Sequence, residues 1–198
     1  MTIDEEKRTT LRKFAAVGAT PLLGLADRDE SESETREAIV GYVETTPGAH
    51  FSKIRDDLSL ATGETQYHLR RLTDSGSLEH CRDGNYKRYF SAGEFGEFEK
   101  VTLGYLRRET PRKMLVAILE DPERTGTDLA SKLGVSTAAI SAAATEMSDA
   151  GLLDTTDGYQ ISNPEMVISL LLRYGRTFDD ETRRFSRDAA ALFTYDPE

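Results

Sequence analysis

Two stretches of this chain end alike. "GETQYHLRRLTDSG" at 63–76 and "AAISAAATEMSDAG" at 138–151 lie 75 positions apart, and the likeness runs backwards from them without a gap. Leu72 falls on Met147, Leu69 on Ala144, Thr65 on Ile140, Leu60 on Val135, Leu58 on Leu133 and Ile54 on Leu129. Further back, Pro47 falls on Pro122, Val43 on Ile118 and Ile39 on Met114. A period of this kind means one supersecondary unit used twice. The copies run from about 36 to 90 and from about 111 to 162. The 198 residues suffice for two small units or one ordinary domain.

Each copy reads in the same order. An apolar helix comes first, "TREAIVGYVETT" and "TPRKMLVAILED", with Thr110 placed to cap the second and Pro111 suited to its first turn. Pro47 and Pro122 stop these helices. Short helices follow, "FSKIRDDL" and "GTDLASKL". Tight links, "SLAT" and "GVST", lead into third helices that Thr62 and either Ser136 or Thr137 can cap. After Gly76 and Gly151 come alternating segments, "LEHCRDGNYKRYF" and "LLDTTDGYQIS", whose Asp83-Gly84 and Asp157-Gly158 pairs predict hairpins. Three helices, the last two joined by a tight turn, then a β-hairpin, make a winged helix-turn-helix. The expected fold class is mainly α with small β-hairpin wings: two such units in tandem plus C-terminal helices.

The copies differ in chemistry. On a helical wheel Thr65, Leu69 and Leu72 share one face of the first third helix, which is its core side. Tyr67 and Arg71 lie opposite, Arg70 and Gly63 beside them, and Gln66 and His68 on the flanks. Arg pairs with guanine O6/N7, Gln with adenine N6/N7, and either arginine can clamp phosphate instead. On an isolated helix such residues would merely solvate a surface; following a helix-turn they suit a DNA groove. The wing adds Arg82, Asn85, Lys87 and Arg88 with Tyr86 and Tyr89 interleaved, while Phe90 is expected to pack beneath it. The candidate DNA-binding set is therefore Gln66, Tyr67, His68, Arg70, Arg71, Arg82, Asn85, Lys87 and Arg88. Residues 66–90 hold five basic and three acidic side chains, net +2 in a chain of net −10. In the second copy Ser141, Ala142, Thr145 and Glu146 stand where Gln66, Tyr67, Arg70 and Arg71 stand in the first, and its wing "DTTDGYQ" has no basic residue. That copy keeps a scaffold without a reading head and suits packing, dimerisation or regulation.

On "PGAHFSKI", "TQYHLRRL", "DSGSL" and "GNYKRYF" in the first unit, and "ETPRKMLVAIL", "LASKLGVS" and "DAGLL" in the second, the chain resembles the tandem winged-helix transcriptional regulators of haloarchaea, in the style of the ArsR and MarR families. The resemblance covers roughly residues 35–175. It implies double-stranded DNA as partner, a homodimer on two half-sites, a cytoplasmic location and no cofactor. The expected organisation is an N-terminal arm or short helix over 1–34, the DNA-binding winged unit over 35–93, a linker helix over 94–110, the degenerate second unit over 111–162 and a helical dimerisation segment over 163–198. That last segment carries apolar residues around much of its girth, including Met166, Ile168, Leu170, Leu171 and Leu172. They either cover the second unit or meet a partner chain.

Composition argues partly the other way. Asp and Glu number 35 against 25 Lys and Arg, of which 18 are Arg. Such acidity is in the style of salt-loving archaea and is a poor general start for phosphate binding, so the DNA reading rests on the local charge of 66–90. An acidic winged helix can also serve as a protein-interaction module without DNA, but that role would not need the basic cluster. The stretch "FAAVGATPLLGLA", 14–26, has a basic start and small residues like an export signal, but it lacks an adjacent Arg pair and Pro21 interrupts it. No apolar run reaches the ~20 residues of a membrane span. The single cysteine, Cys81, excludes an intramolecular disulfide; its flanking His80 and Arg82 allow a redox role, against the plainer reading of a small strand residue. His50, His68, His80 and Cys81 match no metal spacing, and His50 fits a helix start. The carboxylates are scattered, and neither a Gly-rich phosphate loop nor a nucleophile elbow is present, so no enzyme activity is expected.

Overall fold

The computed structural model describes residues 9, 10, 13, 14 and 27–192. Most of the N-terminal arm expected over 1–34, and nearly all of the stretch 14–26, lie outside the described residues. The chain forms two compact units, residues Met1–Gly96 and Glu97–Glu198. Both are mainly helical with small antiparallel sheets.

Unit one opens with α1 (Asp27–Thr45), which starts several residues before the apolar pattern does. It is followed by β1 (Ala49–His50), α2 (Phe51–Asp57), α3 (Thr62–Asp74), β2 (Leu78–Asp83) and β3 (Tyr86–Ser91). The strands pair in the order β1-β3-β2, all antiparallel. The core gathers the apolar positions of the repeat: Ile39 and Val43 from α1, Ile54 from α2, Leu69 and Leu72 from α3, and Leu78 from β2. Tyr42 anchors α1 to α2 by donating to Asp57 Oδ2 at 2.7 Å, and Phe14 sets its ring edge-on to Tyr42 at 5.2 Å.

Unit two begins with α4 (Glu97–Leu106) and then repeats the order: α5 (Glu109–Glu120), α6 (Gly126–Leu133), α7 (Thr137–Asp149), β4 (Leu153–Asp154) and β5 (Gln160–Ile161). The spacing of 75 holds at the level of atoms. α7 is α3 moved by 75 at both ends, and Gly76 and Gly151 end the two helices with φ of 73° and 71°. The next amide in each case, Ser77 or Leu152, donates back to the carbonyl of Leu72 or Met147 at 3.0 or 2.9 Å. The turn before each third helix needs a left-handed residue. Gly134 supplies it at φ 67°, while unit one uses Ser59 at φ 54°, a conformation that costs a residue with a Cβ about 1–2 kcal/mol.

Helix starts differ by a residue or two from the sequence reading. Ser136 caps α7, accepting from Ala139 N at 3.1 Å, but Ala61 rather than Thr62 precedes α3, and Glu64 covers its N–H at 3.3 Å. Arg108 precedes α5, so Thr110 and Pro111 both lie in its first turn. His50 starts α2, its Nδ1 accepting from Lys53 N at 3.3 Å. The second hairpin keeps two residue pairs where the first has six, and just past its last pair Asp154 accepts from Thr156 N at 2.8 Å.

Two C-terminal helices complete unit two, α8 (Pro164–Tyr174) and α9 (Asp180–Leu192). Val167, Leu170, Leu171 and Tyr174 of α8 are buried within this unit. Arg112 ties α5 to the start of α9 through Asp179 and also donates to the Leu106 carbonyl at 2.9 Å. Burial pushes the Asp179 carboxyl up, but the Thr182 N–H and the Arg112 guanidinium outweigh it and hold the group at about 2. Among the described residues no helix is long and apolar enough to cross a membrane.

Candidate nucleic-acid interface

The apolar positions of α3 dictate which of its residues face outward. With Thr65, Leu69 and Leu72 held in the core, Gln66, Tyr67, Arg70 and Arg71 are exposed. Arg70 reaches furthest into solvent, 83% exposed, with Asp74 3.6 Å away. Arg71 is more restrained: it donates to the Tyr67 hydroxyl at 2.7 Å, lies over the Tyr67 ring and has Glu32 of α1 at 3.8 Å. Among the described residues the large hydrophobic side chains left exposed are Tyr67, on α3, and Tyr86, on the wing.

The wing rises beside α3. Its two-residue turn, Gly84-Asn85, leaves Arg82, Asn85 and Lys87 exposed. Between wing and helix lies a groove of about 670 Å³ lined by Gln66 and Arg70 on one side and His80, Asn85, Lys87 and Tyr89 on the other. His80, which the sequence offers as a neighbour of Cys81 and in no metal spacing, thus shares this groove. Among the described residues no three His, Cys, Asp or Glu side chains gather as metal ligands. Cys81 is half-buried on β2, paired across the strands with Arg88.

Two members of the expected set are elsewhere. His68 is buried, 3% exposed, because the helical wheel places it on a flank that α1 covers, and its Nδ1 finds no hydrogen-bond partner among the described residues. Arg88 is buried too, its guanidinium bonded to Asp83 and to the Gly48 carbonyl. Neither side chain is presented to a groove. Tyr89, interleaved with the wing cations in sequence, is buried on the groove side of β3, and Phe90 is buried on the opposite face.

Unit two has the matching groove, of about 690 Å³, with other walls: Ser141, Ala144 and Thr145 from α7, and Thr155, Asp157 and Gln160 from the second wing. Its Glu146, which stands at the Arg71 position, pairs with Arg108 at 2.6 Å, and Tyr105 of α4 donates to the Glu146 carbonyl at 2.8 Å. The Arg71 position of α3 is thus engaged within its own unit in α7, while Ser141, Ala142 and Thr145 of the same face stay exposed.

Residues 33–103 match the family model HTH_HVO_0163_N, an N-terminal HTH domain. The match covers the unit that carries the basic groove and supports a helix-turn-helix DNA-binding domain there. No curated protein matches the chain.

Burial lowers the pKa of both His68 and His50 below the ordinary histidine value; at His50 the nearby Arg88 and Lys53 add to the effect. A pKa lowered in the folded state means that the unfolded chain binds protons more readily. The resulting stability is fully present above the ordinary value near 6.5 and is lost as pH falls through it towards the folded value. Calorimetry of the full chain between pH 7.5 and 5.5 is expected to show a falling melting temperature, with a shallower fall in His68→Phe. A melting temperature that rises on acidification would contradict this.

Proposed function

We propose that the protein is a sequence-specific transcriptional regulator that reads double-stranded DNA with α3 and the wing of unit one. One observation carries the reading. The Arg70 guanidinium and Gln66 amide of α3 and the Lys87 ammonium of the wing border one groove, whereas in the matching groove of unit two Thr145 and Ser141 stand at the Arg70 and Gln66 positions and the wing supplies no cation. In this reading α3 enters the major groove, where Gln66, Arg70 and Arg71 meet base edges or phosphates and Tyr67 packs alongside. Arg82, Asn85 and Lys87 follow the adjacent backbone. The DNA-binding unit spans 35–93, 94–110 links it to a degenerate winged unit over 111–162, and the helices of 163–198 serve dimerisation or regulation. The regulator is a homodimer on two half-sites, acting in the cytoplasm of a salt-adapted archaeal cell. Chromatin pull-down followed by sequencing tests the reading. Enriched sites sharing a motif support it, and binding to no duplex at all would favour a protein-interaction module.

Salt dependence follows from the same charge balance. Cations near the groove are few, and Asp56, Asp57 and Glu64 oppose them in a chain of net −10. At 1 M salt the Debye length is about 3 Å, so self-repulsion from DNA is screened along with attraction. Binding isotherms from 0.1 M KCl upward are expected to show a shallow loss of affinity. A steep loss, with the slope of about six or more phosphates at ~0.9 each, would show that the acidic surface does not matter.

A further inference from the structure

We propose that Arg88 is the positioning residue of the wing: its buried guanidinium binds the wing's turn to the segment before β1 and so fixes where Arg82, Asn85 and Lys87 stand beside α3. This rests on the DNA-reading role only for its consequence; the clamp itself is a property of the free protein.

Arg88 lies on β3, the middle strand, in a row with His50 of β1 and Cys81 of β2. It is 2% exposed. A buried charge costs several kcal/mol unless its hydrogen-bonding groups are met. Here Nε meets Asp83 Oδ2 at 2.5 Å, just before the wing's turn, and Nη1 donates to the Gly48 carbonyl at 3.0 Å. The guanidinium also lies 5.7 Å from the centre of the Tyr86 ring, and that ring lies 5.0 Å from His50 at the start of α2. One side chain therefore holds both sides of the wing's turn to the link between α1 and α2. Lys87, one residue earlier, faces outward with its charge available. Unit two is an internal comparison. Its wing has no basic residue, and its strands shrink to two residues each.

The test uses the full chain with Arg88→Met, which keeps length and loses the charge, and Asp83→Asn, which keeps shape and weakens the clamp. Amide hydrogen exchange over 82–88 is expected to quicken at least ~10-fold in both, with α3 little changed. Affinity for a selected duplex is expected to fall about 10-fold in Arg88→Met with an unchanged salt slope, whereas Lys87→Ala lowers the slope by about one, as loss of a phosphate contact does. Wild-type exchange over 82–88 in Asp83→Asn, or a slope lowered by about one in Arg88→Met, would overturn the proposal. If Arg88→Met does not fold, Asp83→Asn still decides. If the wild-type chain binds no duplex, the DNA reading fails, and exchange over 82–88 still judges the clamp.

Discussion

Arg70→Ala or Arg71→Ala is expected to weaken binding to a selected DNA site by ~1–3 kcal/mol each, roughly 5- to 150-fold, while Glu146→Ala leaves it almost unchanged. The asymmetry follows from the two copies of one helix. Arg70 projects into solvent at the rim of the groove shared with the wing, and Arg71 stands one position on, steadied by Tyr67. Glu146 occupies the Arg71 position but is taken up by Arg108 within its own unit. The arginines are expected to differ from each other as well. Arg71 must leave or share the Tyr67 hydroxyl and Glu32 to meet DNA, so Tyr67→Phe, which removes one of those competing partners, is expected to change affinity less than either arginine variant. Fluorescence anisotropy on a footprinted site measures all four. Equal losses from Arg71→Ala and Glu146→Ala would mean that the copies do not divide the labour.

The repeat was legible because its signals are local. Helix ends marked by Pro47, Gly76 and Gly151 recur at one spacing in sequence, and core positions such as Ile54 and Leu129 recur with them and are buried in both copies. What escaped depends on partners far along the chain. His68 sits on a wheel flank, and only the packing of α1 decides that this flank is inside. β1 is two residues long, too short to show alternation, and exists because Gly48 and Ala49 meet Tyr89 forty residues on. Arg88 was the readable miss. Alternation along β3 puts Tyr86, Arg88 and Phe90 on one side, so an inward Phe90 already implied an inward Arg88. The acidic start of α1 falls within the stretch expected as an arm or short helix, because it has no apolar repeat to join it to the helix that follows.

Leu171→Glu is expected to unfold unit two rather than split a dimer. In the sequence the apolar girth of α8 left two readings open, cover for the second unit or an interface with a partner chain. Leu171 is fully buried inside the unit, and its carbonyl accepts from Ser186 Oγ of α9 at 2.8 Å. A carboxylate there is taken out of water, and burying it costs several kcal/mol against a total stability of ~5–15 kcal/mol. Hydrogen exchange over 109–189 is expected to lose most of its protection. The homodimer is tested elsewhere on the same helix. Ile168 and Leu172 are half-buried, four residues apart on one face, so glutamate at either leaves α8 room to stay folded. If two chains meet there, light scattering of Ile168→Glu or Leu172→Glu reads half the wild-type mass with protection retained. A folded Leu171→Glu chain of halved mass would instead make Leu171 an interface residue, and the packing of α8 within unit two would have to be abandoned.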